Sequence, residues 1–442
     1  MRATSLITCC GQKCSRLNMI KGPQIKYFLA FFVLYCLVVF VMAFRHNPHF
    51  QTINLDSWPT PVKMPYTHPV QFSKPGAPVT APVFEYRGNN KRQGWVTVDR
   101  QPKSLTEVWK TEPLNIGVHK AMKSVPAVDA SGVYVGSDSG WFFKFDHQGK
   151  KVWSYFASSA TKGFHATAVL DENFVYVGAY NGIMYCLRKE NGELVWAHQL
   201  GGFIGSSALL TKNFLYVGVE TEKDGFLAKL DARNGEIVWR GTFTGAPVHS
   251  SPALDEKSGT VVIANIFGSV SAIEEETGNY SMILQTGDAI RSTASIANGV
   301  AFITSYDHWI YALDITTKKV VWKKEYKESL LSSVTIDQDS NIGYIATTSS
   351  LFAFSLQDGH SLWQNDFPAN PTAGTPVLLK GKTDSSLLIA CGGDSLCVVN
   401  AKNGKSIVRK KMNGTLNSMP SVFDNKIYVS LQEKAGLQVF SY

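Results

Sequence analysis

Three tryptophans recur at equal steps of 43 residues, and this period limits the possible folds more than any other feature of the chain. They are Trp153, Trp196 and Trp239. Ahead of each lies a near-copy of one short motif, at 133–136 (Val-Tyr-Val-Gly), 175–178 and 215–218. A short turn, a second apolar run and a Gly-containing turn connect each motif to its tryptophan. A period of about 40–50 residues built from short strands is typical of radial or solenoid arrays.

The same unit continues to the end of the chain. We read each unit as four strands, A to D, and count eight A–B–C sets. The B strands are predicted near Val133, Val175, Leu215, Val261, Ala301, Gly343, Leu387 and Ile427. Strand D is predicted to end on Trp153, Trp196, Trp239, Met282, Trp322, Trp363 and Val408. Most turns before strand D contain glycine, which supplies the positive φ that a tight hairpin needs. The fifth unit has Thr317-Lys318 there instead.

The two ends of the array complete each other. The eighth unit stops at Tyr442 without a D strand, whereas Leu105–Trp109 has the form of a D strand with no A–B–C set before it. Pairing this strand beside 439–442 would remove the unpaired edges of an open ring. We therefore predict an all-β fold over residues 105–442, an eight-bladed β-propeller of four-stranded blades.

The residues before the array predict a membrane anchor and an arm. Residues 1–26 are basic with no acidic residue, and residues 27–44 form an uncharged apolar run long enough to cross a bilayer as a helix. The positive flank precedes this run, so the predicted topology is a single-pass type II signal anchor with the propeller exported. The exported side is the ER or Golgi lumen or the cell surface in a eukaryote, and the periplasm in a bacterium. Residues 45–104 are proline-rich and predict a stalk or wrapping arm.

The repeats resemble a known superfamily. Tyr-Ala-Leu-Asp at 311–314 followed by Trp322, and Leu-Asp at 230–231 followed by Gly235 and Trp239, resemble the tryptophan-docking repeat of quinoprotein-like propellers. That superfamily includes pyrroloquinoline-quinone alcohol dehydrogenases and the outer-membrane assembly factor BamB, both eight-bladed. The resemblance, closest to the BamB branch, implies the fold but leaves the function open, because one propeller hosts many activities.

A quinone cofactor is not expected. The resemblance implies that a quinone dehydrogenase would carry adjacent cysteines inside the propeller and a calcium site of Glu, Asn and Asp. The one adjacent pair here, Cys9-Cys10, precedes the predicted anchor, and the repeats do not reproduce the calcium set. No Cys-x-x-Cys or paired-histidine motif indicates a metal site. We expect neither a cofactor nor a metal.

The candidate binding and catalytic residues lie in one row, at the start of the predicted inner strands. Aligning the units on a row of small residues places Lys123, His165, Gly205, His249, Arg291, Leu331, Ala373 and Asn417 just before strand A. These positions should circle one mouth of the channel, and the row contains no acid. We predict that Lys123, Arg291 and Asn417 bind an anionic group. His165 and His249 are the candidate acid and base.

Two further pairs of residues predict covalent modification. Cys391 and Cys397 lie on the two arms of a predicted hairpin and would form either a cross-strand disulfide or two buried thiols. Asn279-Tyr-Ser and Asn413-Gly-Thr match the N-glycosylation pattern, so a eukaryotic host would predict a glycoprotein.

These observations leave three functions open. The first is a membrane-anchored binding or assembly module that takes an anionic small molecule or a protein partner at the mouth. The second is an enzyme without quinone, of lyase, hydrolase or cyclase type, that acts on an anionic substrate. The third is a quinone-dependent dehydrogenase. Nucleic acid is not an expected partner, because the formal charge of +8 is spread thinly over 442 residues.

Overall fold

The computed structural model describes residues 79–114, 123–157, 162–221, 224–243, 246–366, 374–416, 418–432 and 436–442. All belong to one compact unit, Thr67–Tyr442. No helix within these ranges is long and apolar enough to cross a membrane. The predicted tail at 1–26, the anchor at 27–44 and the first part of the proline-rich segment lie outside the described residues.

The described residues form 33 β-strands. Two short strands precede the repeats: β1 (Trp95–Thr97) and β2 (Thr106–Lys110). Blade one contains β3 (Ala127–Asp129), β4 (Gly132–Gly136), β5 (Trp141–Phe145) and β6 (Lys151–Phe156). Blade two contains β7 (Val169–Leu170), β8 (Phe174–Gly178), β9 (Ile183–Arg188) and β10 (Leu194–Gln199). Blade three contains β11 (Leu209–Thr211), β12 (Phe214–Glu220), β13 (Gly225–Asp231) and β14 (Ile237–Phe243). Blade four contains β15 (Ala253–Asp255), β16 (Thr260–Ala264), β17 (Ser269–Glu274) and β18 (Tyr280–Gln285).

The second half of the chain repeats the pattern. Blade five contains β19 (Ser295–Ala297), β20 (Val300–Thr304), β21 (Trp309–Asp314) and β22 (Lys319–Glu325). Blade six contains β23 (Thr335–Asp337), β24 (Ile342–Ala346), β25 (Ser350–Ser355) and β26 (Ser361–Asp366). Blade seven contains β27 (Val377–Lys380), β28 (Ser385–Ala390), β29 (Ser395–Asn400) and β30 (Ser406–Lys411). Blade eight contains β31 (Ser421–Phe423), β32 (Lys426–Ser430), β33 (Leu437–Ser441) and the early strand β2.

The eight-bladed propeller is confirmed. Each blade is an antiparallel sheet whose strands follow one another in space from the inner strand to the outer one. The second strands carry the repeated motif, and β4 and β8 are buried along their whole length. The outer strands alternate exposed and partly buried residues, as β26 shows, because one face packs on a neighbouring blade. One detail of the prediction is wrong: the outer strands continue past the tryptophan, so that β6 runs on to Phe156.

The ring closes through its two chain ends, as the sequence predicts. Strand β2 pairs antiparallel with β33, with Thr106 opposite Ser441 and Lys110 opposite Gln438. Blade eight therefore takes three strands from the end of the array and its outer strand from the beginning. This arrangement leaves no blade with an unpaired third strand.

Each tryptophan of an outer strand connects its blade to the next one. The indole of Trp196 lies against the turn at Gly235, and its Nε1 donates to the carbonyl oxygen of Ala232 at 2.9 Å. The same Nε1 bond, between 2.9 and 3.1 Å, is made by Trp109, Trp153, Trp239, Trp322 and Trp363. A Cβ at Gly235 would lie 2.5 Å from the Trp196 ring, and this glycine has a φ of 74°. Glycine is required there both by the turn and by the ring.

The two outer strands without a tryptophan face neighbours without such a turn. Met282 of blade four faces the fifth blade, whose turn contains Lys318 with a φ of 59° instead of a glycine. Val408 of blade seven faces blade eight, where the outer strand comes from the other end of the chain and no such turn exists. The exceptions therefore follow from the docking geometry.

A pair of substitutions tests this docking rule. We expect Met282→Trp alone to destabilise the protein by about 1–2 kcal/mol, because the Cβ of Lys318 occupies the place of the indole. The double variant Met282→Trp/Lys318→Gly should lose less free energy of unfolding than the sum of the losses in the two single variants. A double-mutant cycle on the free energy of unfolding measures this coupling. Additive effects would show that the exceptions are unrelated to docking.

The segment before the repeats runs along the floor of the central channel, and we call residues 82–98 the strap. The inner strands begin at one end of the channel, the mouth, and run toward the other end, the floor. Four strap carbonyl oxygens accept hydrogen bonds of 2.8–2.9 Å from the inner strands of blades four to seven, and the donors are the amides of Leu254, Ile296, Ile336 and Leu378. Strand β1 also pairs in parallel with β27 and gives blade seven a fifth strand, which the sequence analysis did not predict.

The cysteine pair lies at the turn between β28 and β29. Cys391 and Cys397 are joined by a disulfide bond with their Cα atoms 5.8 Å apart. Both are buried, and two glycines with positive φ, Gly392 and Gly393, form the turn between them. The bond closes one of the second-to-third strand turns at the mouth. Among the described residues the remaining cysteine, Cys186, is a buried thiol.

Candidate functional site

The mouth of the channel is a funnel-shaped cavity of about 570 Å³. Its lining comes from the entries of the inner strands around the ring, and it includes Lys123, His165, His249 and Arg291. The structure therefore brings these four predicted site residues into one cavity. Asn417, the fifth, lies outside the described residues. Lys123 and Arg291 are exposed at the rim, whereas His165 is buried and His249 is partly buried.

His165 is held by a carboxylate from the neighbouring blade. Its Nε2 lies 2.9 Å from Oδ2 of Asp138, and both side chains are buried. Asp138 belongs to the turn between β4 and β5 of blade one. The other side of the imidazole packs on Tyr180, with the ring centres 4.2 Å apart. These contacts fix the orientation of the ring.

His249 forms a second pair of the same kind. Its Nδ1 lies 2.7 Å from Oε1 of Glu220, the last residue of β12 in blade three. The Glu220 side chain is nearly buried, whereas the imidazole remains about one-third exposed. A carboxylate that accepts from Nδ1–H leaves Nε2 as a proton acceptor. This histidine can therefore exchange a proton with a molecule in the funnel.

A glycine makes room for the contact between the two pairs. A Cβ at Gly205 would lie 3.1 Å from Oε1 of Glu220 and 3.2 Å from the hydroxyl oxygen of Tyr180. Burial, followed by the nearby carboxylates of Glu220 and Asp138, raises the pKa of Tyr180 above its ordinary value. Tyr180 is consequently a neutral hydroxyl at physiological pH and a hydrogen-bond donor.

Arg291, another lining residue of the funnel, lies over an aromatic ring. Its guanidinium carbon is 5.8 Å from the ring centre of Tyr306. Burial raises the pKa of Tyr306, and the positive charge of Arg291 partly offsets this effect. The contact orients the guanidinium without neutralising it.

Two acids come close to the mouth from outside the inner-strand row. The inner-strand row contains none, but a second row lies two residues past the motif glycines Gly136, Gly178 and Gly218 and past the equivalent positions of the other blades. Its members are Asp138, Tyr180, Glu220, Ile266, Tyr306, Thr348, Gly392 and Gln432. Aligning the units on the last residue of the repeated motif would have identified the two acids and both tyrosines. The acids come from blades one and three and pair with histidines of blades two and four, because each turn reaches toward the next blade.

The strap closes the inner end of this funnel. Tyr86 of the strap contributes to its lining together with Met419, and two further strap residues, Arg87 and Arg92, are buried. Arg92 donates to the carbonyl oxygens of Tyr86, Ala208 and Pro252 at 2.6–3.0 Å. Burial lowers the pKa of both Arg87 and Arg92, and that of Arg87 falls to about 10, so Arg87 remains charged at neutral pH.

The lining does not match a quinone and calcium site. Its histidines are engaged by carboxylates, and the described residues contain no group of three His, Cys, Asp or Glu side chains that could hold a metal ion. The Cys9-Cys10 pair lies outside the described residues. We therefore derive no chemistry through a quinone.

A family model described as "Outer membrane protein assembly factor BamB" matches residues 144–365 and 347–441. These matches cover more than half of the chain. The chain belongs to this family. Within the quinoprotein-like superfamily, the resemblance to the BamB branch is thereby confirmed.

Individual relatives are distant, and their named activities differ. BamB of Yersinia pestis is 21% identical over 378 residues, which cover 78% of this chain and 92% of that protein. Tetrathionate hydrolase of Acidithiobacillus ferrooxidans is 25% identical over 321 residues, which cover 69% of this chain and 56% of that protein. The quinohemoprotein alcohol dehydrogenase of Comamonas testosteroni superposes with a TM-score of 0.68 at 13% identity, covering 81% and 80% of the two chains. The last likeness shows the fold alone.

Proposed function

We propose that this chain is a membrane-anchored, exported propeller that acts as a binding or assembly module and takes an anionic group of its ligand or protein partner at the mouth. Membership of a family described by an assembly factor supports the binding role. The observation that carries the proposal is the cationic rim of a funnel closed at its inner end. Lys123 and Arg291 are exposed there.

The charges of the funnel favour an anion. Asp138 and Glu220 are each engaged by a histidine. A third acid, Glu328, accepts a hydrogen bond from Thr348 of the lining. Among the described residues, none of these carboxylates forms an ion pair with Lys123 or Arg291. Arg291 is held over Tyr306 with its charge retained. An anion in the funnel would form charge-assisted hydrogen bonds with Lys123 and Arg291, which line the same cavity.

The exported topology rests on the sequence and on the disulfide. Disulfide bonds persist in oxidising compartments, and the bond between Cys391 and Cys397 agrees with such a location. Asn279 and Asn413 are exposed, as glycosylation would require. The anchor at 27–44, its orientation and the glycans stay predictions.

A binding titration tests the cationic rim. We expect the full chain to bind a hexaglutamate peptide, and the double variant Lys123→Gln/Arg291→Gln to bind it about tenfold more weakly or worse, because two charge-assisted contacts are lost. The matched control, Lys150→Gln/Lys319→Gln, removes two exposed cations outside the funnel lining. Equal losses in both double variants would indicate non-specific attraction and contradict the proposal.

A second candidate, an enzyme acting on an anionic substrate, is favoured by the two carboxylate–histidine pairs. His249, oriented by Glu220 and partly exposed, could take a proton while Lys123 and Arg291 hold the anion. His165, oriented by Asp138, is the proposed acid in this scheme. The named activity of one relative, tetrathionate hydrolase, shows that an anion-cleaving enzyme occurs among similar proteins.

Turnover separates the two candidates. If the chain is such an enzyme, tetrathionate is a reasonable first probe, and we expect His249→Ala and Glu220→Gln to lower kcat at least about 100-fold with little change in KM. If it is a binding module, the wild-type chain should bind the acidic peptide and leave tetrathionate unchanged. Product analysis by ion chromatography distinguishes these outcomes.

A further inference from the structure

A second cavity lies at the opposite end of the channel. The strap passes under blades two to seven, from the pairing of Phe84 with Leu170 to that of β1 with β27, and leaves the sector under blades eight and one open. A cavity of about 300 Å³ occupies this sector. Its walls are largely apolar and include Phe84, Trp95, Val125, Val128, Val422 and Phe423. This size is at the lower end of the range for small-molecule sites, about 300–1,000 Å³.

The lining of this cavity includes one buried cation, Arg87. Arg87 is 3% exposed, and its Nε donates to the carbonyl oxygen of Arg92 at 2.9 Å. Its Nη2 donates to Ser295 Oγ and to the carbonyl oxygen of Val334. The acceptor found for Nη1 among the described residues is the sulfur of Met419 at 3.9 Å, another residue of the lining. A thioether is a weak acceptor, so this end of the guanidinium is poorly satisfied.

Among the described residues, no carboxylate is bonded to Arg87. Its acceptors within the described residues are carbonyls, a hydroxyl and a thioether. The acid that lines the same cavity, Glu85, has a pKa raised to about 7 by burial, and its Oε1 atom is buried without a hydrogen-bond partner. Glu85 interacts electrostatically with Arg92, a second buried cation whose guanidinium donates to carbonyl oxygens, and not with Arg87. A buried charge without a counterion is unfavourable, and a ligand carboxylate would compensate it.

We propose that this floor cavity binds a small apolar carboxylate, with the carboxylate on Arg87 and the hydrocarbon part among Val125, Val128 and Phe423. The cavity shares the lining residues Val125 and Met419 with the mouth but lies at the other end of the channel, and the proposal does not depend on the function proposed for the mouth. The apolar walls favour a ligand with a hydrocarbon part, and the poorly satisfied Nη1 of Arg87 favours an anionic group. An inorganic anion would contact Nη1 but would gain nothing from the apolar walls.

Isothermal titration of the full chain with octanoate tests the site. Octanoate should bind with a stoichiometry of one, octanol at least about tenfold more weakly, and inorganic phosphate should not compete. Equal binding of octanoate and octanol would overturn the role of Arg87. Competition by phosphate, which lacks a hydrocarbon part, would show that the apolar walls do not select the ligand and would contradict the proposal.

Variants locate the binding. Val422→Trp fills the cavity from a partly buried position, and Val83→Trp fills it from a position that is 47% exposed, so that at least one should fold normally. Each should weaken octanoate binding about tenfold or more, because the bulky ring takes the place of the hydrocarbon. The mouth variant Lys123→Gln/Arg291→Gln should leave octanoate binding unchanged. Unchanged affinity in a folded Trp variant, or loss in the mouth variant, would overturn the proposal.

Arg87→Gln provides the electrostatic half of the test. It should lower the affinity for octanoate to that for octanol, because the glutamine carries no charge. This change also removes bonds to blades five and six, so its folding is checked by the melting temperature before titration. A folded Arg87→Gln variant that still prefers octanoate over octanol would show that another group binds the carboxylate.

Discussion

Replacing Arg92 with alanine should lower the free energy of unfolding by about 3–5 kcal/mol. The side chain is fully buried and donates to three carbonyl oxygens, one in the strap and one each just before the inner strands of blades three and four. Alanine would leave these acceptors buried and unsatisfied, at about 1–3 kcal/mol each, with part of the cost relieved by relaxation. For a domain of this size we expect the melting temperature to fall by about 4–7 °C.

Lys91 is the matched control for Arg92. It is the neighbouring cation of the strap, but its side chain is 35% exposed and its Nζ lies 3.9 Å from Asp255. Because a partly exposed pair contributes at most about 1 kcal/mol, Lys91→Ala should change the melting temperature little. Arg92→Lys should fall between wild type and Arg92→Ala, since an ammonium group cannot reach all three carbonyls from one position. Equal effects of Lys91→Ala and Arg92→Ala would show that the arginine fork is not what ties the strap to the ring.

Deleting residues 105–112 should abolish the soluble monomer. The deletion removes β2, and with it the pairing to β33 and the contact of Trp109 with the turn of blade one, where its Nε1 donates to the carbonyl oxygen of His147 at 2.9 Å. The third strand of blade eight would then present an unpaired edge, which favours association with other chains. Size-exclusion chromatography with light scattering measures the outcome.

Val108→Ser is the control for this deletion. Val108 belongs to β2 but is 46% exposed, so the change keeps the backbone pairing and should keep the monomer. A monomeric deletion variant with an unchanged melting temperature would contradict the closure through β2. Aggregation of Val108→Ser would show that the exposed face of the strand, rather than its pairing, maintains the monomer.

The ring was predictable because the same side-chain types recur at the same positions of each unit, so the period is visible in the sequence. Tryptophans such as Trp196 need a glycine turn in the next blade, and this pair of requirements marks each unit in the sequence. The rule also covers the exception: the fifth unit has Thr317-Lys318 instead of a turn glycine, and the outer strand facing it has Met282 instead of a tryptophan. The orphan strand at 105–109 then determined the closure, since an eight-bladed ring has one place for it.

The strap was not predictable in the same way. Its bonds to Leu254, Ile296, Ile336 and Leu378 join main-chain atoms on both sides, and such bonds impose no side-chain period. The pairing of β1 with β27 likewise leaves no pattern in three residues.

The mouth was half predictable. The inner-strand row identified Lys123, His165, His249 and Arg291, but their partners come from turns of other blades. Asp138 and Glu220 become visible only when the units are aligned on a second register.

The mouth is the central claim, and photo-cross-linking locates the ligand there most directly. A hexaglutamate peptide with a terminal benzophenone is irradiated with the full chain, and the labelled residues are identified by mass spectrometry. We predict labels near 123–125, 165–167, 249–251 and 291–293, where the inner strands begin, and their loss with excess unlabelled peptide. Labels confined to the outer strands, or spread evenly over the surface, would contradict a binding site at the mouth.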